Sequence, residues 1–268
     1  MAELRRNEKD GFIYYTAPQL EPQRGLSHAF FTRIGGVSSG AYASLNFRLN
    51  CDDSRGNVLE NHRRAGALLG AEADSIVTTK QKHTDNIRII SKDSLQVDTD
   101  EPVDALITDL PGVCLTAYYA DCQVVMLYDK KKQVAAIVHA GWRGVANKIV
   151  SKTLDRMIDI FGCKAKDIYA AIGPSICRRC FECDDDVPEA LFQAYDSYIS
   201  EYIYREGKKW HIDLKNITYI TLTSRGVSPI NIDVSSLCPC CTTSEELFWS
   251  HRRQGENRGV QGAMIMLK

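Results

Sequence analysis

The segment VAAIVHAGWRGVANKIV, residues 134–150, constrains this chain more than any other. Its apolar run has the length and β-branched content of a buried strand and ends at His139. Gly141 and Gly144 follow, with Arg143 between them, and then a helical pattern begins. A strand that passes through glycines into a helix is the building unit of an α/β protein, and ligands gather at the carboxyl ends of such strands. The glycines let backbone approach closely, the helix start offers free N–H groups, and Arg143 adds a fixed positive charge. The segment either holds an anion, or sets His139 at a reaction centre, or is a tight turn with a capped histidine.

Strand-like runs recur at Ile76–Thr79, Ile87–Ile90, Ala105–Thr108, Val113–Tyr119, Val124–Tyr128 and Val134–Val138, then at Ile168–Ile172, Ile230–Val234 and Ala263–Leu267. Period and length identify them as strands. The spacing predicts a helix over Arg55–Leu69, closed by Gly70. A second runs from about Val145 to Phe161, with Val145, Ile149, Met157, Ile158 and Phe161 on one face and Gly162 as its cap. A third starts after Asp186, with Pro188 in its first turn, and carries Leu191, Phe192, Tyr195, Tyr198, Ile199 and Tyr202. A fourth starts at Asp213 and stops before Gly226. Strands outnumber helices without strict alternation, which predicts an α/β fold with mixed sheets rather than a doubly wound one. There is no repeat and no linker. The acidic stretch Ser91–Pro102 reads as a loop too short to divide the chain, so residues 1–268 are expected as one domain, with 1–25 as an amino-terminal lead-in.

With 268 residues, 44% hydrophobic and 25% charged, the chain has enough apolar surface for a core and is neither disordered, fibrous nor a membrane bundle. Its 33 basic and 34 acidic residues give no global field for nucleic acid or anionic lipid. Arg5-Arg6 and Lys130-Lys131-Lys132 read as solvated turns. The start MAELRRNEKDG lacks the apolar core of a secretory signal, so a cytoplasmic, reducing location is expected. There the ten cysteines point to thiolate chemistry or metal binding rather than to disulfides.

Three polar features stand out. His139 is the first. The second is Asp121-Cys122, which interrupts two apolar runs where a polar pair costs free energy unless used. The third is His83, set among polar residues in KQKHTD. Together His83, Cys122 and His139 offer two nitrogens and one sulfur, the donor set of a catalytic zinc with an open fourth position. A Cys122–His139 hydrolase pair is the alternative and needs a third, orienting group. Arg33 in FTRIGGVSSG, followed by Ser44 and Asn46, marks a phosphate or ribose cradle or an ordinary turn. Cys177, Cys180 and Cys183, with Cys238, Cys240 and Cys241, form either a second, structural metal site or loose surface thiols. Arg252 and Arg253 form a paired-guanidinium candidate for phosphate, or a solvated edge. Six histidines without a His-x-His pair do not build a multicopper cluster, so copper is not expected.

Taken in order, FFTRIGGVSSG with SLN, KQKH, VDALITD, ADC, VHAGWRG, IGPSIC and HRR resemble the laccase-domain family, which includes the bacterial YlmD and YfiH proteins. The resemblance runs from about Phe30 to Leu267. The family, formerly called multicopper polyphenol oxidoreductase laccases, is now treated as purine nucleoside phosphorylases with adenosine deaminase activity. The resemblance implies a single α/β/β/α-layered domain and one zinc ion held by His83, Cys122 and His139. It implies that Arg33 lines a nucleoside and phosphate pocket with Ser44 and Asn46, with Arg252 and Arg253 as further candidates. Adenosine, inosine, guanosine and methylthioadenosine are the implied substrates. Asp121 is expected to shuttle a proton beside the metal, and Arg143 to help hold phosphate. No nucleic-acid or membrane partner is expected, and the chain is expected as a monomer. Two alternatives stand: a cysteine amidase of the peptidoglycan-editing type using Cys122 and His139, and a non-catalytic purine or zinc binding module. The chain departs from the family pattern at Lys82, Thr84, Val124 and Arg258-Gly259, and in its extra Cys180, Cys183 and Cys240.

Overall fold

The computed structural model describes residues 3–23, 25–95, 100–241 and 246–268. The amino-terminal residues, expected as a lead-in, supply strands. β1 (Arg5–Lys9) and β2 (Phe12–Thr16) form an antiparallel hairpin. Arg5 and Arg6 were expected in a turn but lie on this edge strand, where they meet Glu21 and Glu8. Charges on an edge strand keep it from pairing with another chain, and their lack of apolar alternation hides the strand from a periodicity search.

β3 (Leu26–Phe31) is followed by helix α1 (Arg55–Leu69), which closes at Gly70 in the left-handed region (φ 89°) as expected. Next come β4 (Ile76–Thr78), β5 (Ile87–Ile90), β6 (Ala105–Thr108), β7 (Cys114–Tyr119), β8 (Gln123–Asp129) and β9 (Val134–Ala140). Of the acidic stretch Ser91–Pro102, residues 96–99 lie outside the described ones, and the rest form turns and irregular backbone. The chain continues through α2 (Trp142–Ala146), α3 (Ile149–Phe161), β10 (Ile168–Ile172), β11 (Glu182–Cys183), α4 (Asp186–Tyr195), β12 (Ile203–Glu206) and β13 (Lys209–Ile212). It finishes with α5 (Leu214–Ser224), β14 (Ile232–Val234), α6 (His251–Gln254) and β15 (Gln261–Leu267).

The helix expected from Val145 to Phe161 is two helices. Lys148 takes a left-handed conformation (φ 59°) between them. The break lets Val145 and Ile149 both face the core, and the Tyr195 hydroxyl donates to the Val145 carbonyl at 2.8 Å. That bond satisfies an acceptor at a helix end. The third predicted helix also stops early. Asp196 (φ 53°) breaks it after Tyr195, and Tyr198, Ile199 and Tyr202 follow in a 3₁₀ turn. At the fourth, Asp213 caps the start by accepting from the Asn216 amide at 3.1 Å.

Two mixed six-stranded sheets result, in the orders β1-β2-β3-β15-β7-β4 and β14-β10-β8-β9-β6-β5, beside a small sheet β11-β13-β12. β4–β7, β5–β6 and β10–β14 run parallel and the other pairs antiparallel. The large sheets face each other across one core, where Phe30, Leu115 and Ile265 of the first meet Val124, Met126 and Ile137 of the second. α1 covers the outer face of the first sheet through Ala65. α3 and α5 cover the second through Leu154, Met157 and Ile217. The layers are therefore α/β/β/α. Every residue of β8 and β9 is buried because both faces are covered. No helix among the described residues is long and apolar enough to cross a membrane.

Candidate metal centre

The chain crosses from the first sheet to the second at two places, after β4 and after β7. His83 sits in the first crossing and Cys122 in the second, while His139 lies near the end of β9. One ligand atom from each of the three residues lies within 4.8 Å of the others. The Cys122 Sγ and His83 Nε2 are 3.6 Å apart, and the two imidazoles meet edge to face with centroids 5.0 Å apart. For tetrahedral zinc with bonds of about 2.0 Å to nitrogen and 2.3 Å to sulfur, such donors stand roughly 3.6 Å apart. The donor set and this spacing fit a zinc ion with an open fourth position.

Asp104, immediately before β6, was not singled out from the sequence, although it lies within the VDALITD motif. It is fully buried. Its Oδ1 pairs with His139 Nδ1 at 2.8 Å and accepts the His83 amide at 3.1 Å. Its Oδ2 accepts the amides of Lys82 and Thr84 and the Thr84 hydroxyl. One carboxylate thus fixes the ring of one histidine and the loop of the other, including the positive φ of 59° at His83. A carboxylate on Nδ1 turns Nε2 toward the ligand position, the usual support of a metal-binding histidine.

Burial works to raise the Asp104 carboxyl, but hydrogen bonds from His139 and Thr84 bring it down to about 2. Burial also opposes charge on the Cys122 thiol, yet hydrogen bonds and charge from His139 and then His83 bring it down to about 6. His139 moves the other way: burial disfavours its cation, while Asp104 and Cys122 hold its pKa above the usual value. The sulfur is therefore poised as a thiolate, the form that binds metal. Gly141 makes the close approach possible. A Cβ there would stand 2.7 Å from the His83 ring and 3.1 Å from Cys122 Sγ.

Asp121 shares the turn with Cys122 at φ 92°. Its Oδ2 accepts the Ser250 hydroxyl at 2.9 Å and the Arg252 amide at 2.7 Å, while buried Oδ1 has no partner among the described residues. Arg258 interacts electrostatically with both Asp121 and Cys122, and its buried Nε is likewise unpartnered among them. Only the order Arg258-Gly259 hinted at this arginine in the sequence.

The other predicted residues are placed less directly. Arg33 donates twice to the Ala43 carbonyl and stacks over Trp249 at 4.8 Å. Burial and then the neighbouring Arg253 both work against its charge. Ser44 Oγ accepts the Gly35 and Gly36 amides, ordering the glycine turn. Asn46 is fully buried and bonds Arg48, Asp53 and Val260, so its polar atoms serve neighbouring loops. Arg143 is exposed and stacks on Trp142 at 4.2 Å, with no hydrogen bond or ion pair among the described residues. Arg252 donates to the carbonyls of Cys180 and Glu182, and Arg253 to those of Pro239 and Phe248. These two guanidiniums brace loops.

Residues 27–268 match the family model described as multi-copper polyphenol oxidoreductase laccase. The chain belongs to that family. A protein of Deinococcus radiodurans named purine nucleoside phosphorylase is 35% identical, with 94% of this chain and 95% of that protein covered. One named adenosine deaminase RL5, from an unknown prokaryotic organism, is 33% identical over 86% of this chain and 90% of its own length. The crystal structure of YlmD from Geobacillus stearothermophilus superposes with a TM-score of 0.88 at 30% identity, with 100% of both chains covered.

Proposed function

We propose that this chain is a zinc-containing purine nucleoside phosphorylase that also deaminates adenosine. The observation that carries the reading is the convergence of His83, Cys122 and His139 on one point, with Asp104 bonding the His139 ring and the His83 amide, in a chain whose relatives are named for both activities. When bound there, zinc would supply Lewis acidity at an open position.

In phosphorolysis, a phosphate oxygen bonds to the ribose carbon as the bond to the purine nitrogen breaks, and the purine takes up a proton. The chain's task is to hold phosphate against the sugar and to stabilise charge on the leaving base. Arg258, whose Nε has no partner among the described residues while its other nitrogens meet Gly259 and His251, and Arg143 at the exposed start of α2 are the candidates for the anion. Arg33 keeps its guanidinium beside the 249–253 segment and shapes that wall. Asp121 presents a buried carboxylate oxygen with no hydrogen-bond partner among the described residues, the group assigned here to proton transfer. Its other oxygen is fixed by Ser250 and Arg252, so the free one has a defined direction.

One observation favours a second reading, a cysteine hydrolase. Asp104 orients His139, and Cys122 has an acidic thiol, which makes a thiol, imidazole and carboxylate in series. Such a triad needs only one imidazole on the sulfur, whereas His83 approaches it as well, and this supports the metal reading.

The test is to incubate the purified chain with adenosine, with and without phosphate, and resolve adenine, ribose-1-phosphate, inosine and ammonia. Phosphate-dependent adenine release that is lost in Cys122→Ala and in the chelated enzyme is the expected result. Amide hydrolysis that survives chelation, with no purine product, would move the assignment to the hydrolase.

A further inference from the structure

Four more sulfurs meet away from this site. Cys177 and Cys180 lie in the turn before β11, and Cys238 and Cys241 follow β14. Their Sγ atoms all lie within 4.8 Å of one another. Cys177 and Cys180 each stand 3.8 Å from Cys241. Four sulfurs around a zinc ion at about 2.3 Å make a tetrahedron with edges of roughly 3.8 Å. A disulfide would bring two of them to about 2.05 Å, and all four are free thiols.

The backbone supports the same occupant. Each pair is a Cys-x-x-Cys, the spacing of a zinc knuckle. The first knuckle is closed by the amides of Cys180 and Phe181 on the Cys177 carbonyl, the second by the Cys241 amide on the Cys238 carbonyl. The Cys177 amide donates across to Cys238 Sγ at 3.2 Å, so the two knuckles already touch. Four thiolates around a divalent cation leave net negative charge. The buried Lys215 lies in the field of Cys238 and Cys177, with its ammonium on the carbonyls of Ser235 and Leu237. Cys183 and Cys240 fall outside the cluster, and Cys183 Sγ faces the Trp210 carbonyl.

We propose that Cys177, Cys180, Cys238 and Cys241 hold a second zinc ion, with all four positions filled by protein and a structural role. This ion is independent of the one assigned to His83, Cys122 and His139. It ties together loops that brace the Asp121-Cys122 turn. The Ile176 amide donates to the Asp121 carbonyl at 2.8 Å. Arg252 bonds the Cys180 carbonyl with its side chain and the Asp121 carboxylate with its amide. Arg253 holds the Pro239 carbonyl inside the second knuckle.

The test is elemental analysis of the full chain purified without chelator, beside Cys122→Ser and Cys180→Ser. About two zinc ions per wild-type chain are expected, falling to about one in each variant. Cys122→Ser refilled with cobalt should show the thiolate charge-transfer and tetrahedral ligand-field bands of a four-sulfur site. A direct readout on the native chain removes dependence on any variant's folding: a mercurial titration should release zinc as these four thiols are consumed. A Cys122→Ser chain without metal, iron in place of zinc, or a disulfide among these four in the native chain would each overturn the proposal. Because the metal content of Cys122→Ser is read without any turnover, failure here is distinct from failure of the phosphorylase reading.

Discussion

His83, Cys122 and His139 are carried by the ends of buried strands and by the two passages between the large sheets. The four-cysteine cluster is carried by turns at the margin of the second sheet, where three of its members are only partly buried. The first cluster is three residues that mix nitrogen with sulfur, whereas the second is four residues and all sulfur. The first owes much of its geometry to the fold, since Asp104 bonds the ring of one histidine and the backbone amide of the other. In the second, the knuckles meet through one amide–sulfur bond and through the sulfurs themselves, the atoms an ion would bridge, so an ion has more to contribute to the geometry. A reactive centre is set by a rigid frame, and a structural centre is itself part of the frame.

Cys122→Ser should break the comparison most sharply. Nucleoside turnover should fall to background while the four-cysteine zinc stays, as product analysis and metal content would show. Asp104→Asn should come next. It keeps the shape but loses the carboxylate that orients His139, and a drop of about 10–100-fold in zinc affinity or turnover is expected. Zinc titration against turnover would read both. Cys180→Ser should act on the frame. Turnover should fall less than about tenfold, while Tm drops by roughly 5–10 °C, as expected for losing a few kcal/mol of metal-linked stability. Calorimetry would show whether the order of the two effects is reversed.

The smallest effect on either cluster should come from acid acting elsewhere. His28 is buried in β3, accepts the Ala17 amide at 2.8 Å, and has its pKa lowered by burial to about 4. The unfolded chain takes that proton near pH 6.5, so the native state is favoured fully above about 6.5 and loses the contribution as pH falls toward 4. The loss amounts to roughly 3 kcal/mol by pH 4, of which about 2 is already lost at pH 5. Urea titrations at pH 7 and pH 5 should show it, and His28→Gln should flatten that slope.

Much of this was legible because the central strands are buried on both faces. Ala105–Thr108 and Ile168–Ile172 have the same bounds in the sequence and in the structure, and so does the half-buried edge strand Ile87–Ile90, which its three isoleucines mark instead. The strands absent from that reading are β1, β2 and β3 and the small-sheet strands β11 to β13. Burial enforces no period on charged β1 or on the short small-sheet pairings, while β2 and β3 are largely buried but short, and Ser27 and His28 interrupt the apolar run of β3. At the site, His83, Cys122 and His139 announced themselves as polar residues in apolar or motif-bearing surroundings. Asp104 did not, because an aspartate at a strand's start looks like any loop carboxylate until its partners arrive from residues 82–84 and 139. The cysteines were visible as two groups of three, but only folding chooses Cys241 over Cys240 and leaves Cys183 out. Beside the helix break at Lys148, the Val145 carbonyl is met by the Tyr195 hydroxyl, a partner fifty residues away along the chain.

β15 lies in the middle of the first sheet, between β3 and β7. A ribosome delivers it long after both neighbours. Until then β3 and β7 have no common partner, and each waits with an open edge. Ser250 and Arg252, which anchor Asp121, emerge just before it. His83, Cys122 and His139 are therefore synthesised well before the strand that closes the first sheet. The nascent protein passes through a period with its first sheet unzipped, when a chaperone has most to do.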